Sequence, residues 1–182
     1  MSIHRTLMTA EHAPISRGFH VNPEHCNNPG HYETYISQDC FADQKQGMGV
    51  THVFFIDEDE NSKPKKIAGY ITLRGSSLIM DSGEGYKLGY PALEISELAV
   101  DKDYENQGLG TEMVKFAIGE AVELNEEHVG FQYVILCADP EAVGFYSKLG
   151  FSNICGYNGY KDVPRESRNS RCVPMIMKIS NA

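Results

Sequence analysis

The 182-residue chain is short of several things, and each shortage narrows what it can be. Its five cysteines, Cys26, Cys40, Cys137, Cys155 and Cys172, are an odd number, widely spaced and without a CxxC pair. A disulfide framework is not expected from them; reduced thiols are, with Cys137 a small buried apolar residue rather than a nucleophile. No apolar run approaches a membrane-spanning length, and Met1-Ser2-Ile3-His4-Arg5 does not start a basic and then apolar leader. A cytoplasmic protein without a membrane partner is the expectation. Internal repeats, low-complexity tracts, a Ser-His-Asp elbow and a Walker loop are all missing. His20, His25, Cys26 and His31 fall close together, but their spacing matches no common zinc pattern, so no metal is expected.

Basic residues are also scarce: 16 Lys and Arg stand against 25 Asp and Glu, a formal charge of −9. Such a field disfavours nonspecific nucleic-acid binding and mildly favours cationic substrates such as amines. From Glu94 to Glu127 there are ten acidic side chains and only two basic ones, Lys102 and Lys115. The segment 157–171 reverses this locally with Lys161, Arg165, Arg168 and Arg171, and a solvated loop is its plain reading.

What is present fits one domain, 1–182, large enough for a sizeable core. An opening strand from Ile3 to Met8 precedes a Pro/Asn/Gly stretch, and Tyr32, Tyr35, Ile36, Asp39, Cys40 and Asp43 follow helical spacing up to Gly47. Val50–Asp57 and Lys66–Arg74 read as a hairpin around the polar loop Glu58–Pro64. Ser76–Pro91, with Gly83, Gly85 and Gly89, reads as a long and mobile active-site loop or a plain surface loop. A strand over Ala92–Val100 leads to a helix with Leu109, Met113, Phe116, Ala117, Ala121 and Leu124 on one stripe. Phe131–Ala138 reads as a strand covered on both faces, and Asp139, Pro140 and Gly150 suit the cap, first position and stop of the next helix. Strands near Phe151–Cys155 and Cys172–Ser180 finish the chain.

The informative segment is Tyr104-Glu105-Asn106-Gln107-Gly108-Leu109-Gly110, set between a strand and a helix. Its glycines allow close backbone approach, and free N–H groups of the loop and first helical turn suit an anion such as a phosphate. Some forty residues on, Ala142-Val143-Gly144-Phe145-Tyr146-Ser147-Lys148-Leu149-Gly150-Phe151 closes a second strand and helix unit. Together the two segments resemble the acetyl-CoA site of the GNAT-type N-acetyltransferases, most strongly from about Lys66 to Phe151.

That resemblance implies an α/β (α+β) fold: a single domain with a mixed sheet of about seven strands, helices on both faces and a splay between strands four and five. It divides the chain into an acceptor-shaping part, about 1–65, and a cofactor-binding core, about 66–155. The pantetheine arm of acetyl-CoA would pair with Leu98, Ala99 and Val100. The pyrophosphate would lie over Glu105, Asn106, Gln107, Gly108, Leu109, Gly110 and Thr111, with Asp139 and Tyr146 completing the cofactor contacts. The family's loop usually opens with Gln or Arg and then Gly, so Glu105 and Asn106 depart from its pattern, and a carboxylate beside a pyrophosphate is unfavourable by charge.

Acetyl transfer to an amine needs a neutral nucleophile, a polarised carbonyl and a proton for the departing thiolate. Tyr146 matches the family's proton donor; packing against the sheet is its competing role. Glu94 matches the general base of the histone acetyltransferase branch, and Glu97 stands near the acetyl group, where some members carry a substrate-binding or basic residue. Strand alternation puts these two on opposite faces unless a bulge intervenes, and either could be a solvated acid.

The expected enzyme is therefore an N-acetyltransferase joining acetyl-CoA and a primary amine of a small molecule or protein by direct attack. Tyr90-Pro91, Gly69-Tyr70-Ile71-Thr72-Leu73 and Leu98-Ala99-Val100-Asp101-Lys102 also look like the toxin branch that acetylates aminoacyl-tRNA. Glu97, where that branch commonly has Arg, and the acidic chain count against tRNA, while Arg165, Arg168 and Arg171 support it. A noncatalytic acetyl-CoA sensor is the third reading, opposed by Tyr146. The family resemblance makes a homodimer plausible, with no residue pattern that demands one.

Overall fold

The computed structural model describes residues 2–57, 66–154 and 172–179. Its elements are β1 (Ser2–Leu7), a 3-10 turn (Ala10–His12) leading into α1 (Ala13–Ser16), α2 (Pro29–Thr34), a π-helical turn (Tyr35–Asp39) and α3 (Cys40–Gln46). After them come β2 (Val50–Asp57), β3 (Gly69–Asp81), β4 (Lys87–Val100), α4 (Leu109–Glu127), β5 (Tyr133–Ala138), α5 (Val143–Lys148), β6 (Ser152–Asn153) and β7 (Val173–Lys178). The strands form one mixed seven-stranded sheet in the order β1-β2-β3-β4-β5-β7-β6. Among the described residues, no helix is long and apolar enough to cross a membrane. Cα packing divides the chain into two compact units, 1–74 with 96–115, and 75–95 with 116–182.

In the first unit β1 and β2 pair antiparallel from Ser2↔Asp57 to Leu7↔His52, and β2 continues onto β3 from Val50↔Leu73 to Phe54↔Gly69. The polar loop expected between β2 and β3 lies outside the described residues. Met8, Phe19, Tyr35, Ile36, Val53, Phe55, Ile67, Tyr70 and Ala99 form the core, whose burial supplies most of the driving force. Gly69 is required by close approach: a Cβ there would come within 3.1 Å of the Ala99 carbonyl, Leu109 and Met113. This contact seats the first turn of α4 against β3 and the end of β4. The helix expected around Tyr32–Asp43 is α2 and α3 joined through the π turn, and it stops at Gly47, which adopts a φ of 69°.

In the second unit the segment read as a long loop is instead a hairpin. β3 extends to Asp81 and β4 begins at Lys87, with the turn closed by Ser82 N–H on the Tyr86 carbonyl (3.0 Å). Gly83 and Gly85, at φ 80° and 88°, serve that turn, while Gly89 sits inside β4. Parallel pairing of β4 with β5 covers Ala92–Ile95 opposite Tyr133–Leu136, and β7 pairs antiparallel with both β5 and β6. Leu78, Met80, Ala92, Tyr133, Ile135, Ile154 and Ile176 make this unit's core.

The expectation of reduced thiols also needs correction, because Cys137 and Cys172 form a disulfide. The antiparallel β5–β7 register, with Cys137 opposite Pro174, carries the two cysteines together across 35 residues of sequence. Cys26 and Cys40 are buried and form no disulfide. Cys155 and the basic segment 157–171 lie outside the described residues.

Candidate active site

Within the first unit, β4 ends in Leu98, Ala99 and Val100 and passes to Asp101, whose buried carboxylate organises the chain that follows. Asp101 Oδ1 accepts from the Asp103 N–H (3.0 Å), capping a 3-10 turn over Lys102–Tyr104, and Oδ2 accepts from the His20 N–H (2.8 Å). Lys102 N–H in turn donates to the His20 carbonyl at 2.8 Å. The loop reaches α4 through two left-handed residues, Asn106 at φ 59° and Gly108 at φ 82°. Asn106, Gln107 and Gly108 are exposed, Gly110 and Thr111 are half-buried, and a Cβ on Gly108 would meet nothing within 4 Å. Leu109 is buried in the core, so it offers a ligand only its backbone N–H. Successive N–H groups in such a turn, ahead of a long helix, form an anion cradle.

Glu105 does not face that cradle as a stray charge. Its carboxylate lies 2.9 Å from His25 Nδ1 and accepts from Asn22 Nδ2 at 3.2 Å, and its side chain is 18% exposed. Gln107 donates to the Asp103 carbonyl at 3.3 Å.

Each of three histidines meets a glutamate instead of converging with the others: His20 on Glu33 (3.3 Å), His25 on Glu105 and His31 on Glu97 (2.9 Å). Sequence reasoning grouped these histidines and missed their carboxylate partners. Residues 66 to 80 positions apart in two of the three pairs give no local signal.

Glu97, with a side chain 11% exposed, lies on a wall of aromatic rings. Tyr35 and Tyr70 stack with centroids 6.1 Å apart, Phe19 meets Tyr70 edge-on, and His31 packs on Tyr32 at 5.1 Å. Tyr70 donates to the Tyr32 carbonyl, and burial, followed by the charge of Glu97, pushes its phenol well above the ordinary range.

In the second unit, Glu94 is 8% exposed and stands opposite Ile135 in the β4–β5 ladder. Ala92, Leu93 and Ile95 around it are buried as well, so burial does not alternate along this part of β4. Tyr146 on α5 is 7% exposed, edge-on to Phe145 (4.9 Å) and Phe151 (5.8 Å). Burial raises its pKa strongly, and the negative charge of Asp139 adds to that. Asp139 occupies the N-cap position but its side chain makes no cap hydrogen bond, contrary to the expected cap; the Ala142 N–H closes on its carbonyl instead (2.9 Å).

A sequence model of the acetyltransferase (GNAT) family matches residues 19–151. The chain belongs to that family and is an acetyltransferase. The match begins at Phe19, just before His20 and Asn22, and takes in Asp101, the glycine loop and Tyr146. The fold agrees with solved structures of GNAT toxins. A tyrosine-to-phenylalanine mutant of the toxin AtaT superposes with a TM-score of 0.70 at 16% identity, over 97% of this chain and 89% of the other. AtaT complexed with acetyl-methionyl-tRNAfMet gives 0.66 at 17% identity, over 95% and 94%. AtaTR bound with acetyl-CoA gives 0.67 at 17% identity, over 97% and 92%. At these identities the likeness is one of fold.

Proposed function

We propose that the protein transfers the acetyl group of acetyl-CoA to a primary amine, and that the acceptor is the amino group of an aminoacyl-tRNA. The left-handed pair Asn106 and Gly108 ahead of α4 carries the cofactor half of this reading: it is an exposed backbone cradle of the kind a pyrophosphate needs. The withdrawal of Glu105 onto His25 and Asn22 supports it, since the carboxylate that breaks the family's loop pattern is already engaged. The acceptor half rests on the near full-length likeness to AtaT in complex with acetyl-methionyl-tRNAfMet.

In this scheme Leu98, Ala99 and Val100 present backbone groups to the pantetheine arm, and a backbone N–H there polarises the thioester carbonyl. Glu97 receives the acceptor's ammonium group and takes its proton. As the C–N bond forms, the nitrogen releases its second proton to water, and as the C–S bond breaks the Tyr146 hydroxyl gives its proton to the thiolate and is reprotonated from solvent. A phenol held above its ordinary pKa suits this, because it stays protonated at any physiological pH.

A small amine or a protein amine is the second reading, favoured by the net charge of −9 and by an acidic residue at 97. Labelled acetyl-CoA incubated with a cell extract, then separated into RNA, protein and small molecules, decides between them. Label in RNA that survives in the wild type and fades with Tyr146→Phe supports the tRNA reading. Label in either other fraction transfers the assignment to that acceptor, and no label beside intact acetyl-CoA binding leaves a cofactor sensor.

A further inference from the structure

We infer that His31 is a positioning residue for the acceptor amine, acting through Glu97: it fixes one carboxylate oxygen, and its own protonation decides whether the pair offers the incoming ammonium a net negative charge. This deepens the proposed function and rests on Glu97 meeting the amine.

The pair is built from α2 and β4, elements 66 residues apart in sequence, with Nε2 and Oε2 at 2.9 Å. Both side chains are mostly withdrawn from water, His31 to 23% exposure and Glu97 to 11%. A carboxylate in that position is screened far less than a surface acid, so the charge beside it matters. With neutral His31 the pair carries one negative charge and attracts an ammonium. With His31 protonated the pair is neutral and that attraction is lost, while the hydrogen bond itself persists.

Tyr35, Cys40 and Tyr70 in this cluster do not share this behaviour. His31 packs on Tyr32 (5.1 Å) and Tyr35 (6.4 Å), Glu97 acts on Tyr70, which also has Tyr32, Tyr35 and Cys40 as neighbours, and Asp43 is bonded to the Tyr35 hydroxyl at 3.2 Å. Burial pushes Tyr35 and Cys40 up to about 12 and Tyr70 well above its ordinary value, so all three stay neutral. Of the group types in this cluster, only an imidazole ordinarily changes charge between pH 5 and 8.

The test is the pH dependence of the acceptor KM. Acetylation of methionyl-tRNA is followed from pH 5.5 to 8.5 with the wild type, His31→Gln and Glu97→Gln, and acetyl-CoA affinity is measured alongside as a check on folding. Glutamine keeps a donor toward Glu97 and cannot titrate. The acceptor amine itself titrates identically for all three proteins, so differences between them report the pair.

The wild-type KM is expected to fall by about fivefold or more across the range relative to His31→Gln, with kcat little changed. Glu97→Gln should hold a raised KM without that extra slope. A His31→Gln profile superposing on the wild type, or a loss in kcat alone, would overturn the inference. If the wild type does not acetylate methionyl-tRNA, the acceptor assignment fails separately. The inference is then read with n-butylammonium as probe, by histidine proton NMR. A His31 signal displaced by the probe, less so at pH 5.5 and not at all in Glu97→Gln, upholds it; an unmoved signal rejects it.

Discussion

Lys66 Nζ lies 2.7 Å from Asp101 Oδ1, and the Asp101 side chain is completely buried. Lys66 also pairs with the exposed Asp103. Desolvation pulls the Lys66 ammonium down, but its hydrogen bonds to the two aspartates outweigh that and raise its pKa. Because Asp101 also accepts the backbone N–H groups of His20 and Asp103, Asp101→Ala removes the partner of two part-buried donors and one cation. Unfolding in urea should show a loss of about 2–4 kcal/mol. A loss below about 1 kcal/mol would mean that water replaces the carboxylate and that it does not organise the loop.

Gly108 and Tyr146 should separate binding from chemistry. Gly108→Val forces a β-branched residue to φ 82° and puts a side chain over the cradle. It should cost about 1–2 kcal/mol of stability and weaken acetyl-CoA binding by an order of magnitude or more. Tyr146→Phe should bind acetyl-CoA as the wild type does while kcat falls about 100-fold. Calorimetric affinities for both variants check this; equal acetyl-CoA affinity for Gly108→Val and wild type would misplace the pyrophosphate.

The pattern of what was readable follows the range of the interactions. Leu98–Val100, the glycine loop and the stripe of α4 could be read because each depends on neighbours within a turn or a strand. The hairpin at Ser76–Pro91 was misread because Gly83, Gly85 and Gly89 look alike in sequence, yet two of them make a tight turn and the third is an ordinary strand residue facing Ser77. The partners of His25, His31 and Cys137 were invisible for another reason. Each lies on a different element, and only the assembled fold brings them together. Glu105 looked like a defect in the loop until its contacts with Asn22 and His25 were seen.

His52 should leave its mark on acid stability. Burial, reinforced by the nearby Arg5, lowers its pKa from about 6.5 to about 4, so it stays neutral in the fold over a range where the unfolded chain takes up a proton. The unfolded state therefore binds more protons between those values, and stability must fall as the pH drops from about 6.5 to about 4. His52→Gln should flatten that part of the profile. Thermal midpoints of both proteins across pH 4–7 provide the check, with parallel curves counting against the assignment.

Reduction of Cys137–Cys172 opens a loop of 35 residues that contains α5 and Tyr146. Loop-closure entropy puts the stabilisation at about 3–4 kcal/mol. Adding reductant, or making the Cys137→Ser and Cys172→Ser double variant, should lower the melting temperature by several degrees. A thiol count unchanged by reductant would show that the bond does not form in solution.

The engagement of Glu105 by Asn22 and His25 has an evolutionary side. Position 105 is not free to drift toward the family's Gln or Arg by itself, since an arginine there would face His25 and forfeit the carboxylate that the N-terminal segment leans on. Residues 22, 25 and 105 should behave epistatically: Glu105→Arg harmful alone, and tolerated once Asn22 or His25 becomes acidic. In this chain, then, the glycine loop ahead of α4 and the segment around Asn22 and His25 are bound to change in concert.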